Sequence, residues 1–172
     1  SGSSVTYNKS KAGTYGTLYL ESSTGKYLYV ANASSVDAIP SGTNPSESFT
    51  FSVTDSIATT TTSYTVNITG ANESPTLASV TSGSVADQAN SSTLGTTSNL
   101  YGTLSGSDTD TGTTLTYDIS GSSSASYTSS ASGSSVTYNK SKAGTYGTLY
   151  LESSTGKYLY VANASSVDAI PS

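Results

Sequence analysis

The sequence contains no cysteine, methionine, tryptophan, histidine or arginine. Without cysteine there is neither a disulfide framework nor a thiolate-bound metal, so stability has to come from an apolar core or from cations held by oxygen. Without His, Cys and Arg the groups available for acid–base or nucleophilic catalysis shrink to Asp, Glu, Lys and Tyr, and no Ser–Lys or paired-carboxylate motif stands out; an enzyme is not expected. Charged residues make up only 10% of the chain, and positive charge is confined to Lys9, Lys11, Lys26, Lys140, Lys142 and Lys157. Against 11 acids this leaves a net charge of −5. A nucleic-acid partner needs a basic footprint that is missing here, whereas a divalent cation suits the acidic balance. There is no apolar run of about 18 residues, so no membrane span is expected, and no signal peptide opens the sequence; export is expected to be encoded elsewhere in a longer protein.

What the chain does contain is serine and threonine, 68 of its 172 residues, together with 14 tyrosines. Polarity with little charge often accompanies disorder. Here the Tyr, Val, Ile and Leu residues fall at alternate positions, which is the signature of half-buried strands.

The strongest signal is internal repetition. Residues 1–41, SGSSVTYNKSKAGTYGTLYLESSTGKYLYVANASSVDAIPS, recur letter for letter as residues 132–172, a period of 131 residues. Such a period fits one globular domain with its linker, and the identity points to recent duplication within a longer tandem array. Within one period nine acids face three lysines, so each repeat adds a charge of −6.

Strand signals run along the whole period, and no stretch of ten residues shows a 3.6-residue apolar period. Tyr15, Leu18 and Leu20 lead into Ser22-Ser23-Thr24-Gly25, after which Tyr27, Tyr29 and Val30 lead back, a β-hairpin. Phe49, Phe51 and Val53 alternate with Ser and Thr, as do Tyr64, Val66 and Ile68. Thr69–Pro75 reads as a linker. Leu77–Val80, Leu100–Leu104 and Leu115–Ile119 read as further strands, and Ser120–Ser135 as an exposed loop or surface hairpin. Seven or eight strands per period, with turns every 8–12 residues, suggest an all-β, antiparallel Greek-key β-sandwich of immunoglobulin or cadherin type in a tandem array. With the boundary near residue 73, residues 1–72 form the C-terminal half of one repeat and 73–172 the N-terminal part of the next. The latter lacks the closing strands that 49–68 supply elsewhere. In a cadherin-like domain those strands end at the wrong pole to fold back, because the linker 69–75 reaches at most about 25 Å. They are therefore expected from neighbouring repeats or identical chains, by β-strand complementation or lateral packing.

Several motifs together resemble the VCBS repeats, the cadherin-like tandem domains of large bacterial surface (RTX-type) adhesins. They are Gly13-Thr14-Tyr15-Gly16-Thr17-Leu18, Gly25-Lys26-Tyr27-Leu28-Tyr29, Glu47 through Asp55 (ESFTFSVTD), Tyr64 through Gly70 (YTVNITG), Asn72-Glu73-Ser74-Pro75, Gly102 through Asp110 (GTLSGSDTD) and Leu115-Thr116-Tyr117. The resemblance implies secretion to the bacterial cell surface, a part in adhesion or biofilm, and calcium bound between domains. Two positions depart from the family pattern. Glu73 stands where Asp is usual, and Thr113 puts a hydroxyl where another Asp is common.

Calcium takes six to eight oxygen ligands, several of them carboxylates. The expected set is Asn72 and Glu73 from the linker, Asp87 from the first strand beyond it, and Asp108 and Asp110 from a later loop, with Asp55 or Glu47 from the preceding domain. Asp-x-Asp spacing would place both side chains on one face of an extended segment. Glu21, Asp37 and Asp118 read as surface charges. Tyr15, Tyr27, Tyr29 and Tyr64 are in phase with apolar strand positions and read as core or half-buried, while Tyr19 reads as solvent-facing. Asn8, Asn32, Asn67, Asn72 and Asn90 lie in Asn-x-Ser/Thr sequons, which so Ser/Thr-rich a chain generates by chance. The functions these features suggest are a structural extender stiffened by calcium, a self-assembling subunit of an extracellular filament, sheath or biofilm matrix, or a module binding surface glycans.

Overall fold

Alternating β-branched and aromatic residues bound by Gly- and Ser-rich turns fold locally into antiparallel hairpins, which account for most of the described strands. The computed structural model describes residues 4–88 and 93–170; the sequon at Asn90 lies outside them. The chain is all-β with antiparallel sheets, and it divides into two units, Ser1–Ser74 with Asp108–Thr113, and Pro75–Ser107 with Thr114–Ser172.

In the first unit β1 (Lys9–Ala12), β2 (Gly16–Leu20) and β3 (Tyr27–Ala31) form a three-stranded sheet in that order. Leu18 lies opposite Tyr29 and Leu20 opposite Tyr27, so these four side chains share one face. The β2–β3 turn closes on Gly25 at φ +73°, a conformation that disfavours any residue with a Cβ. It is held by the Glu21 carboxylate, which accepts from the backbone N–H groups of Ser23 at 3.0 Å and Thr24 at 2.9 Å. Hydroxyls of Thr24 and Ser23 and these N–H groups hold the carboxyl down at about 2. A five-residue helix follows, α1 (Ala33–Asp37), N-capped by Asn32, whose side chain accepts from Ser35 N. Then β4 (Ser46–Thr54) and β5 (Thr59–Asn67) pair along nine residues. Among the described residues they pair with each other alone. Leu18, Ile39, Phe49 and Ile68 are the buried apolar residues of this unit.

The second unit opens with β6 (Thr76–Leu77), then β7 (Ser84–Asp87), β8 (Leu94–Ser98), β9 (Tyr101–Thr103), β10 (Gly106–Ser107) and β11 (Ser123–Ser129). The repeated block then gives β12 (Val136–Ala143), β13 (Gly147–Leu151), β14 (Lys157–Ala162) and α2 (Ala164–Asp168). A five-stranded sheet runs β11-β12-β13-β14-β9, with β6–β10 and β7–β8 as separate pairs. Its core is Val136, Tyr138 and Leu159, packed by Tyr127, Tyr150 and Val161. Tyr127 stacks on Tyr150 with ring centroids 4.3 Å apart.

Several local expectations change. The described residues of one period, 1–131, hold eleven strands rather than seven or eight, because two-residue pairs and the β7–β8 hairpin form where Ser and Thr obscure any alternation. Leu77–Val80 contributes only β6. Leu115–Ile119 is not a strand: side chains anchor it instead, with the Tyr117 hydroxyl accepting from Gly106 N and Asp118 accepting from Ile119 N and Ser122 Oγ. Ser123–Ser129 is a sheet strand whose hairpin with β12 brings Tyr127 opposite Tyr138. Tyr15, Tyr29 and Tyr64 are half-buried, but Tyr27 remains 51% exposed, while Tyr19 is half-buried against Tyr7 at 6.2 Å.

Candidate functional site

Acidic residues gather at two places, and each involves the end of the short helix of a repeated block. In the first unit, Glu73 N donates to Asp110 Oδ2 at 3.3 Å. Asp110 is 7% exposed, and its Oδ1, like Oε2 of Glu73, is buried without any donor. Burial, then the neighbouring charge of Asp110 and a hydrogen bond that needs a proton, then the charge of Asp37, push the Glu73 carboxyl above its usual range. Asp37 ends α1 and is exposed, as a surface charge would be, yet its charge still reaches Glu73. Nothing in its local sequence announces that role. In the second unit the equivalent residue, Asp168, meets Asp87; the hydrogen bond between them, burial and the charge of Asp87 raise the Asp168 carboxyl.

The other expected ligands are placed as follows. Asn72 Nδ2 donates to Glu73 O at 2.7 Å. Asp108 Oδ1 accepts from Asp110 N at 2.8 Å, so Asp108 and Asp110 form an Asx turn and not an extended pair on one face. Asp55 accepts from Ile57 N and Ala58 N and closes the β4–β5 turn. Glu47 accepts from Thr14 N at 2.7 Å, from Tyr15 N at 3.2 Å and from the Tyr29 hydroxyl. Among the described residues no group of three or more acidic side chains is set to hold a metal ion.

A carboxyl raised by folding contributes stability below its unfolded value and loses it as pH rises through the folded one. At neutral pH the Glu73–Asp110 pair therefore opposes folding. Glu73→Gln removes the charge and keeps the shape. Without divalent ions the variant is expected to melt higher than the parent at pH 7, and the gap is expected to close near pH 4. Thermal denaturation followed by circular dichroism checks this, and equal melting temperatures at pH 7 would contradict it.

The repeated block itself is the second feature of interest. Its two copies form three strands in the same order, the same turn and the same capped helix, but β12 runs eight residues where β1 runs four, and different faces are covered. Ile39 is 5% exposed and its equivalent Ile170 45%, whereas Leu28 is 45% exposed and its equivalent Leu159 5%. In the first unit the β4–β5 hairpin does the covering. Phe49 lies 6.0 Å from Tyr29, and Phe51 lies 5.0 Å from Tyr27, ring centre to ring centre. In the second unit the covering residues come from the strands that precede the block, with Tyr127 of β11 on Tyr138 and β9 paired with β14.

Set against known proteins, the chain matches no family model, no curated protein and no solved structure.

Proposed function

We propose that the chain is a stretch of a tandem array of Greek-key, cadherin-like β-sandwich domains of the VCBS type, and that the array serves as the extender of a secreted bacterial surface adhesin. One observation carries this reading: an identical block folds the same way twice but satisfies two different sets of neighbours. A segment that does so is the middle of a domain whose first part is seen with one copy and whose last part is seen with the other. A whole domain then joins the type of residues 75–131, a shared block, and the type of residues 42–74. A chain without His, Cys or Arg suits a mechanical role better than a catalytic one.

The same equivalence merges the acids. Asp37 and Asp168 are one position of the repeat, so Glu73, Asp110 and Asp87 gather around a single helix-terminal aspartate. Hard carboxylate oxygens in a poorly solvated place suit calcium, and the buried, donorless oxygens of Glu73 and Asp110 fit such an ion. Asn72 and Asp108 stand next to them in sequence and complete the set of oxygens that would hold it. Glu47 and Asp55 use their carboxylates elsewhere. When bound, calcium would cancel the repulsion among these acids and tie the segments that carry them to one point.

Proteins of one, two and three whole periods test both parts by small-angle scattering. The maximum dimension is expected to grow by a constant step per period and to be longer in calcium than in chelator. No growth with repeat number would refute the extender; growth identical in calcium and chelator would refute the calcium strut alone. Self-assembly is the second reading, favoured by the uncovered face of the second copy.

A further inference from the structure

The segment that reads as a linker in the sequence is tied down at its start. Ile68 N donates to Pro45 O at 2.9 Å and Gly70 N to Thr43 O at 3.0 Å. Gly70 is buried so close to Ile39 and Pro40 that a Cβ there would collide with both. Near its end, at Glu73, it meets a piece of chain from much later in the sequence. Asp108–Thr113 belongs to the first unit, although β10 before it and Thr114 after it belong to the second. The chain therefore passes from one unit to the other three times, at 74–75, 107–108 and 113–114.

We propose that Asp108–Thr113 is a latch by which each repeat of the array closes, through backbone groups, on the helix end of the repeat before it. The proposal rests on the tandem-array reading, and it names a contact that the calcium strut does not include. The carbonyl of Ala38 stands at the end of α1, where a helix leaves its last carbonyls without an internal partner. Thr111 N donates to it at 3.0 Å. One residue earlier, the buried Asp110 accepts from Glu73 N at 3.3 Å. The loop carries its own shape. Asp108 Oδ1 accepts from Asp110 N at 2.8 Å, Asp110 O accepts from Thr113 N at 3.4 Å, and Gly112 at φ +83° takes the third place of that turn. Its stems are fixed in the second unit, where Ser107 pairs with Thr76 and the Tyr117 hydroxyl accepts from Gly106 N at 3.1 Å.

A loop already held in its docked form loses little conformational freedom on docking, so two hydrogen bonds to backbone groups leave a net gain. Opening the latch unpairs Ala38 O and Glu73 N together. Because the contact to Ala38 is made by backbone alone, the hydroxyl of Thr113 in place of a carboxylate leaves it intact. Successive repeats are then not independent beads: part of the stability of each is supplied by its successor, a nearest-neighbour coupling of the kind that governs repeat arrays.

Amide exchange of the full chain in chelator tests this, and Glu73 and Thr111 lie outside the repeated sequence, so their signals are distinct. In the parent the Thr111 N–H is expected to exchange about tenfold more slowly than in an unstructured chain. Thr111→Ala keeps the N–H and is expected to match the parent. Thr111→Pro removes the N–H yet suits the turn, because proline favours the second place of a turn whose third residue is glycine. In that variant Glu73 N–H is expected to exchange about tenfold faster, while β11 in the second unit keeps its protection. Gly112→Val strains the turn by another route and is expected to have the same effect on Glu73. A parent whose Thr111 exchanges at the unstructured rate, protection that appears only once calcium is added, or a Thr111→Pro variant whose Glu73 exchanges as in the parent would each overturn the latch. The second result would leave the calcium strut standing alone. None of these results bears on the growth of scattering dimension with repeat number, so the extender reading is judged separately.

Discussion

Leu151→Ala is expected to cost the second unit about 2–5 kcal/mol, the range for emptying a filled core position, while the identical substitution at Leu20 is expected to cost the first unit less than half as much. The two leucines sit in identical sequence, nineteen residues before and twenty-one after, but Leu151 is 1% exposed and Leu20 is half-buried. The order is expected to reverse one alternate position away. Leu18 is 5% exposed beneath Phe49, and Leu149 is half-buried, so Leu18→Ala is the costlier of that pair. Urea unfolding checks this, with amide exchange in β4–β5 reporting the first unit and in β11 the second. Those strands lie outside the repeated sequence and give distinguishable peptides. Equal costs for Leu20→Ala and Leu151→Ala would mean that the two blocks share one environment, and the assignment of complementary faces would fail.

The second large effect belongs to Glu47. Its carboxylate joins the hairpin to the block through two backbone N–H groups and one phenol, and hydrogen bonds to a charged acceptor are worth about 1.5–3 kcal/mol each. Partial exposure of the site reduces that sum, so Glu47→Ala is expected to cost the first unit about 3 kcal/mol and Tyr29→Phe about 1–2 kcal/mol. Burial alone would raise the Glu47 carboxyl, but the donors Tyr29, Tyr15 and Thr14 outweigh it and bring the carboxyl below its usual value. Tyr29 is pushed up to about 12 by burial and by the hydrogen bond and charge of Glu47. A depressed carboxyl contributes stability above its unfolded value, about 4.5, and loses it as pH falls through the folded one. A raised phenol contributes below its unfolded value, about 10, and loses it as pH rises through about 12. Hairpin docking is therefore expected to be flat between about pH 5 and 10 and to weaken on either side. Glu47→Ala removes the acid limb and reduces the alkaline one, where burial still raises Tyr29. Amide exchange of β4–β5 against pH reads the profile directly, and a parent whose protection does not change below pH 4 would contradict it.

Strong alternation made the hairpins legible in the sequence. Phe49, Phe51, Tyr64 and Val66 mark β4 and β5, and Gly25 marks the turn of the block. Two helices of five residues are too short for any period, and Asn32, which caps the first, stands out in the sequence only as part of a sequon. Leu115–Ile119 looked like a strand because its apolar residues alternate, but Tyr117 and Asp118 anchor it through side chains, a pairing that local pattern does not encode. At the acidic site Glu73 and Asp110 stood out through spacing and composition. Asp37 did not, since its meaning depends on where a distant linker passes. The deepest limit is the block itself: identical sequence cannot state two different environments, so the burial of Tyr138 and the openness of Leu28 are decided wholly by what precedes and follows.

Two identical 41-residue blocks in one chain also create a choice during folding. Strands β9 and β11 complete the second block, but nothing in side-chain chemistry prevents the first block from capturing them. Chain entropy decides. β11 reaches β12 across the short turn 130–135, whereas reaching β1 means closing a loop of roughly a hundred residues, a difference of about 2–3 kcal/mol in closure free energy. The nearer block is therefore paired first, and the farther one is left to its own hairpin. A longer serine-rich turn before the block would erode this preference, and refolding would then divide between two topologies built from the same contacts. The brevity of that turn is what keeps a repetitive sequence from folding ambiguously.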